Sequence, residues 1–305
     1  MATKGRQSGV QLGFLIVLIL VLGAFTQVAK QPVSADGLFR FSVLNIGQGD
    51  ALLLDTPHGE HILIDAGPSG DVVGVLARYL TPPQTIRLVI ASHNHADHIG
   101  GFTAVFDEYQ VQEAWISGAV HTTDVYLRWL KAIQGSGAKT RTVVAGVEEV
   151  IDGVVFTVLY PLASVEGERL AQEHDGTVVV KASYGALSVL LTGDLEDEHE
   201  AALLAHDPVM LGATILKVTH HGSKYATTEA FLDAVHPKVA VISVGADNKF
   251  GHPGQQTLDR LAKRVVPVFR TDQQGTIQFT SDGAHLWVQP ERGERQEVDI
   301  LGVGR

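Results

Sequence analysis

Ser92-His93-Asn94-His95-Ala96-Asp97-His98 follows directly on the apolar run Leu88 to Ala91 and decides the reading of this chain. The stretch sets three histidines and a carboxylate in the turn that closes a buried strand. Neutral imidazole and carboxylate are ligands for zinc and related divalent ions. A strand that ends in a tight turn fixes their directions on a rigid element. Alternate side chains of an extended segment point the same way, so His93 and His95 can share one ion. Asp97 and His98 emerge after the chain bends and can reach a second. As a merely polar loop, so many ligand-type side chains at the end of a buried strand would be costly unless hydrated or coordinated.

Outward from that cluster, 305 residues with 45% hydrophobic content suffice for one globular unit after an N-terminal segment. The chain has no cysteine, which excludes disulfides and thiolate zinc sites, so any metal must be held by histidine and carboxylate. At the start, Lys4 and Arg6 precede the uncharged apolar run Leu12 to Phe25. Residues 1–35 therefore read as a signal anchor or a signal peptide. The uncharged stretch Ser8 to Ala29 is long enough to span a bilayer, whereas Val33-Ser34-Ala35 resembles a signal-peptidase site. An uncleaved single-span anchor is preferred, because that site lies rather far from the apolar run. Positive charge on the N-terminal side would keep that end in the cytoplasm and place the rest outside; cleavage would make the body a secreted protein. Beyond residue 35 the chain holds 20 basic against 34 acidic residues. An acidic body disfavours loose binding to nucleic acid, so a phosphate substrate would be drawn by metals and a few local cations.

From Leu38 short apolar strands alternate with Gly-rich turns. Phe39 to Leu44, Ala51 to Asp55 and His61 to Ile64 read as an antiparallel meander. Asp65-Ala66-Gly67, a helix over Asp71 to Leu80 and the strand Arg87 to Ala91 follow. The middle, Gln110 to Lys181, is irregular: a strand at Trp115-Ile116, a helix over Thr123 to Gln134, and strands at Val143-Val144 and Val154 to Leu159. The second half repeats the grammar of the first. A strand (Ala186 to Leu191) ends in Thr192-Gly193-Asp194, a helix spans Glu196 to Ala205, and a strand (Ala213 to Val218) ends in Thr219-His220-His221-Gly222-Ser223. A helix over Thr228 to Val235, the strand Lys238 to Val244 and the loop Gly245 to Pro253 come next. Two halves with this shared order suggest two βα layers facing each other. The globular domain is placed at 36–290, and the charged, Gly-containing 291–305 is read as a mobile tail.

His93-Asn94-His95-Ala96-Asp97-His98, with Leu63-Ile64-Asp65-Ala66-Gly67 upstream and Leu191-Thr192-Gly193-Asp194 downstream, resembles the metallo-β-lactamase superfamily. Asn45-Ile46-Gly47-Gln48-Gly49-Asp50, Leu216-Lys217-Val218-Thr219-His220-His221-Gly222-Ser223 and Gly251-His252-Pro253 narrow the resemblance. Together they look like the hydrolase domain of ComEC-type DNA-internalisation competence proteins and their stand-alone relatives, over about Phe39 to Thr280. The resemblance implies an α/β, four-layer αββα sandwich after the single N-terminal apolar helix, with a site at one edge for two divalent ions, zinc first and manganese as the alternative. His93 and His95 would bind the first ion, Asp97 and His98 the second, and Asp194 would bridge them. His221, directly before Gly222, is preferred to His220 at the second ion; His220 could stand beside it. His174 can complete the first set, with Asp175 as an oxygen alternative or neither. Asp65 would orient the histidine loop from behind.

Two such ions lower the pKa of a shared water, so that hydroxide is available near neutral pH, and stabilise charge developing on a phosphoryl or carbonyl oxygen. Asp97 can also orient the nucleophile. His252 is either the group that protonates the leaving oxygen or a plain turn residue. Lys217 and Lys224 flank the HHGS turn and could meet a substrate phosphate, Lys217 first, because an ammonium inside an apolar run needs a partner. Ser223 would cap the next helix or donate to phosphate. The expected function is an extracytoplasmic metal-dependent hydrolase of phosphodiesters, either nucleic acid or small nucleotides. The alternatives are an ester, lactone or β-lactam hydrolase using the same chemistry, and a DNA-uptake module that binds without cleaving. The membrane is the expected partner of the N-terminal helix; protein partners are not legible.

Overall fold

A computed structural model describes residues 36–300 of the chain. The apolar run Leu12 to Phe25, with the anchor or signal read there, lies outside the described residues. Among the described residues no helix is long and apolar enough to cross a membrane.

The chain opens with β1 (Phe39–Val43), β2 (Leu52–Asp55) and β3 (His61–Ile64), paired antiparallel as the meander predicts. Helix α1 (Val72–Leu76) is shorter than the Asp71–Leu80 expectation and runs out into turns. The strands β4 (Thr85–Ile86) and β5 (Leu88–Ile90) follow, and β5 adds to β3 in parallel. Two short helices, α2 (Ala96–Ile99) and α3 (Phe102–Glu108), then lead to β6 (Gln110–Val111), which pairs only with β4, and to β7 (Glu113–Ile116), which pairs with β5. Helix α4 (Asp124–Ser136) starts at Thr123, whose side chain accepts the Tyr126 N–H. The expected strand at Val143-Val144 instead lies just before it, as β8 (Lys139–Thr142). Its Lys-Thr-Arg-Thr sequence suits a solvent-facing edge, and it carries no apolar alternation by which to be read.

The chain crosses to a second sheet with β9 (Glu148–Ile151), β10 (Val154–Tyr160), β11 (Val179–Tyr184) and β12 (Leu187–Leu191). Here α5 (Asp197–His206) precedes β13 (Ile215–Lys217), α6 (Glu229–Val235) precedes β14 (Val239–Ile242), and α7 (Gln255–Lys263) precedes β15 (Val268–Arg270). The strands β12 to β15 are mutually parallel. After the single turn α8 (Thr271–Gln274) the chain returns to the first sheet. There β16 (Ile277–Ser281) pairs with β1, followed by β17 (Leu286–Pro290) and β18 (Gln296–Val298). The expected mobile tail is thus corrected: its described part donates the edge strand β18, whose residues 296–298 pair with 286–288 of β17. Among the described residues the two large sheets have nine and seven strands, ordered β18-β17-β16-β1-β2-β3-β5-β7-β8 and β15-β14-β13-β12-β11-β10-β9, beside the two-stranded β4-β6 pair.

The sandwich follows from period-two burial on both faces of each sheet. Leu52, Leu54, Ile62, Ile64, Leu88 and Ile90 meet Val189, Leu191, Ile215, Val239 and Val241 in the core between the sheets. The intervening Leu53, Leu63 and Val89 face the other way, onto Phe102, Trp129 and Ile133 of the first helix layer. Likewise Leu190, Leu216, Ala240 and Ile242 face Leu203, Phe231, Leu232 and Leu261 of the second. Helices that cover both outer faces explain why these strands read as continuous apolar runs rather than as alternation with polar residues.

Candidate metal centre

Each sheet ends one parallel pair of strands in the same way. In the first, Asp65 closes β3 and the histidine turn closes β5; in the second, Asp194 follows β12 and the His220-His221 turn follows β13. Ligands in α/β sheets gather outside the carboxyl ends of strands, and here two such ends converge. The Val178 N–H donates to the Ser92 carbonyl at 2.6 Å and the His220 N–H to the Gly193 carbonyl at 3.1 Å, tying the turns together. Gly193 has φ +51°, and a Cβ there would stand 2.8 Å from Thr177 and 3.0 Å from Ser92, so the crowding demands glycine.

His93, His95 and His174 form one group, with ligand atoms all within 4.8 Å of one another. His93 Nε2 and His95 Nδ1 are 3.0 Å apart, and Ser92 Oγ lies 3.0 Å from His93 Nδ1, which leaves Nε2 as the inward atom. His174, rather than Asp175, joins this group, because Asp175 is drawn off to His199 Nε2 at 2.9 Å. Asp97, His98, Asp194 and His221 form the second group by the same measure. Asp65 Oδ2 holds His98 Nδ1 at 2.7 Å and accepts from Ser92 Oγ at 2.6 Å, the backing role expected of it. The Ser243 carbonyl does the same for His221 Nδ1 at 2.9 Å. Nε2 of His98 and Nε2 of His221 each stand 3.3 Å from Asp194 Oδ2. Of the two neighbouring histidines, His221 faces this group. His220 turns toward Glu196 Oε1 at 3.4 Å and keeps Nε2 3.6 Å from Asp194. The divergence is a backbone effect: both residues are left-handed, φ 48° and 52°, a region that L-residues other than glycine visit rarely and that clusters at functional sites.

The donor set fits divalent cations. Nε2 of His98, His174 and His221 and Oδ1 of Asp194 are buried without a hydrogen-bond partner, a condition that is expensive unless something else satisfies them. The opposite nitrogens of His98 and His221 are occupied by acceptors, as ligating imidazoles require. Burial works against charging His98 and His221, yet Asp194 drives both well above the usual histidine range. Burial likewise opposes ionising Asp194, but His221 and His98 hold it well below the usual carboxylate range. The pocket is therefore a concentrated negative potential that calls for positive charge. Burial pushes His174 down to about 4, which keeps it neutral and able to ligate. Asp97, with its side chain 32% exposed, is the group facing the mouth.

Lys217 requires a correction. Its side chain is 0% exposed, and Nζ lies 2.5 Å from Asp50 Oδ2, itself 0% exposed, and donates to the Gly193 carbonyl at 3.3 Å. A residue enclosed behind the centre cannot meet a substrate phosphate, so the expected catalytic role gives way to an internal ion pair. Asp50, the last residue of the GQGD loop, is the partner of that lysine. Lys224 is exposed, with Nζ 4.8 Å over the Tyr225 ring. Ser223 is buried, and Thr228 caps α6 in its place by accepting from the Phe231 N–H. His252 stands at the rim, its ring 5.7 Å from that of His220, and burial pushes it down to about 4. The GQGD loop packs against the histidine turn: Gly49 has φ +121°, and a Cβ there would lie 2.1 Å from the Asp97 carbonyl oxygen. Sequence reasoning missed Ser92, Ser243 and Glu196. Ser92 adjoins the motif and Glu196 follows Asp194 by two positions, whereas Ser243 acts through a carbonyl and carries no side-chain signal.

Comparison with known proteins gives a concordant result. A sequence profile of the metallo-beta-lactamase superfamily matches residues 44–246. ComE operon protein 3 of Bacillus subtilis is 32% identical over 255 residues, covering 78% of this chain and 32% of the relative. Competence protein ComA of Neisseria gonorrhoeae is 28% identical over 269 residues, covering 86% and 35% respectively. Recombination protein 2 of Haemophilus influenzae is 28% identical over 284 residues, covering 91% and 32%. The chain thus spans about a third of the length of these curated relatives. Among solved structures, the metallo-beta-lactamase fold protein YhfI of Bacillus subtilis aligns with a TM-score of 0.53 at 12% identity, over 80% of this chain and 99% of that one. CmlA, a diiron beta-hydroxylase from Streptomyces venezuelae, aligns with a TM-score of 0.50 at 12% identity, over 80% of this chain and 54% of that one.

Proposed function

Because the chain belongs to the metallo-beta-lactamase superfamily, we propose that it is a dinuclear metal-dependent hydrolase of phosphodiesters. The observation that carries this reading is the convergence of two separate ligand groups, His93–His95–His174 and Asp97–His98–Asp194–His221, in one buried pocket. Divalent ions held there, zinc first and manganese second, would supply Lewis acidity and an acidified water. The chain's own residues do the rest. Asp65 and the Ser243 carbonyl fix which imidazole nitrogen points inward. Asp194 belongs to the second group, and its charge also acts on His93, His95 and His174, so it can serve both. Asp97, reaching toward solvent, can orient the attacking water, and His252 and His220 line the rim where a leaving oxygen would depart.

The phosphodiester assignment is supported by relatives named for competence and recombination, processes that handle DNA. Attachment through Leu12 to Phe25 with the catalytic body outside the cytoplasm belongs to the same proposal. So does the membrane as partner of that segment. The test is metal analysis of the purified protein coupled to a screen of bis-p-nitrophenyl phosphate, DNA, RNA, cyclic dinucleotides and a chromogenic β-lactam. About two ions per chain and turnover of phosphodiesters are expected. Absence of bound metal after careful loading would refute the core of the reading, and turnover confined to the β-lactam would move the protein to the ester and lactam class.

A further inference from the structure

A ladder of aromatic rings leaves the metal centre and ends in solvent. His174 lies 4.9 Å from His220, His220 5.7 Å from His252, and His252 5.8 Å from Phe250 with the last two planes within 17°. Phe250 is 67% exposed. A single exposed apolar residue is ordinary, but three observations set this one apart. The loop beneath it is pinned: Asn248 Nδ2 donates to the carbonyls of Gly245 and His252 at 2.8 Å, and Asn248 Oδ1 accepts from the N–H groups of Phe250 at 3.2 Å and His252 at 2.9 Å. The backbone that carries the ring is thereby held, and one face of the ring stacks on His252 while the residue stays 67% exposed. A second exposed ring, Tyr225 at 62%, sits on the adjoining loop, and the two loops touch, since a Cβ on Gly254 would lie 3.0 Å from Lys224 Cβ. Finally, Lys224 and Lys249 are exposed on these loops of an otherwise acidic body, with Asp247 the one acid between Gly245 and Gly254.

We propose that Phe250 is the base-stacking residue of the site. An unpaired nucleobase packs on the face of the Phe250 ring turned away from His252, Lys249 and Lys224 meet flanking phosphates, and the next phosphodiester is set toward His252 and the ligand groups. The inference rests on the phosphodiesterase reading and narrows the substrate to single-stranded nucleic acid. A base inside a duplex has both faces covered, whereas stacking on an aromatic side chain needs a free face and tolerates any sequence.

Fluorescence anisotropy with a labelled single-stranded phosphorothioate oligodeoxynucleotide, which resists hydrolysis, and with its abasic counterpart tests this on the full chain. The native protein should prefer the base-bearing strand by about 5- to 150-fold, the equivalent of one base–aromatic stack. Phe250→Ala should abolish that preference and Phe250→Trp should keep it, both with native metal content and thermal midpoint. Tyr225→Ala and Phe250→Ala together separate one platform from two. A native protein without base preference, or Phe250→Ala with the preference intact, overturns the proposal. The two readings fail separately: base preference lost in Phe250→Ala without hydrolysis of any phosphodiester upholds the stacking site and sinks the enzyme assignment. Hydrolysis with unaltered preference in Phe250→Ala does the reverse.

Discussion

Lys217→Met offers the sharpest test of how the centre is built, because it removes an ammonium while keeping the length of the side chain. Lys217 and Asp50 are both fully buried, with Nζ and Oδ2 2.5 Å apart. Burial disfavours the charged form of each, but the attraction between them holds Asp50 below its usual range and Lys217 above its own. Without Lys217, Asp50 is left with His221 Nδ1, 3.4 Å away and already engaged by the Ser243 carbonyl. Removing one member of a buried ion pair costs about 3–5 kcal/mol, since the other charge stays behind unpaired. With a urea dependence of about 3 kcal/mol/M for a chain of this size, the unfolding midpoint should fall by about 1–1.7 M. Replacing both partners by apolar residues, Asp50→Leu with Lys217→Met, should recover most of the loss. The assay is urea unfolding by circular dichroism with metal in constant excess, alongside KM for a charged phosphodiester and a neutral ester. If Lys217→Met unfolds at the native midpoint while KM rises selectively for the charged substrate, the lysine reaches substrate and the burial argument is wrong.

Further outcomes follow from the same geometry. His174→Ala should reduce bound metal from about two ions toward one per chain, whereas Asp175→Asn, whose carboxylate pairs with His199, should leave the stoichiometry intact; elemental analysis distinguishes them. Asp194→Ala should strip or uncouple both ions and lose most activity, and wild-type turnover with both metals present would exclude a shared role for it. Asp65→Asn should weaken metal affinity by about 10–100-fold through a misdirected His98, read by competition with a chromogenic chelator. Gly49→Ala, with a Cβ 2.1 Å from the Asp97 carbonyl and φ +121°, should cost at least about 1–3 kcal/mol and loosen the histidine turn; native stability and metal content would show that the GQGD loop is free to move away.

Much of this architecture was legible because the physics is local. Apolar runs such as Leu52 to Leu54 and Leu187 to Leu191 announce strands buried on both faces, and clustered histidines after Ala91 announce ligands. The preference for His221 over His220 also agrees with the geometry, although it rested on the glycine that follows and not on the left-handed turn that separates the two side chains. Elsewhere the sequence lacks the needed signal. Lys217 reads as a cation near the site because nothing local reveals that Asp50, far away along the chain, closes over it. The strand β8 is polar since one side of an edge strand faces water, and β18 is charged for the same reason, so neither shows the pattern by which a buried strand is recognised. Ser243 orients a ligand with its main chain, which any residue type could do.

The candidate ligands are divided between the two sheets: His93, His95, Asp97 and His98 come from the first, and Asp194, His221 and, on the connection between β10 and β11, His174 from the second. Metal capture at such a site would be a checkpoint on completed folding. A chain interrupted before Asp194 lacks Asp194 and His221, half of the second group, and a chain whose halves dock out of register by one strand brings neither group together. Ions seated there would act as rivets across the seam, so chelation should then open the mouth of the sandwich before either sheet melts.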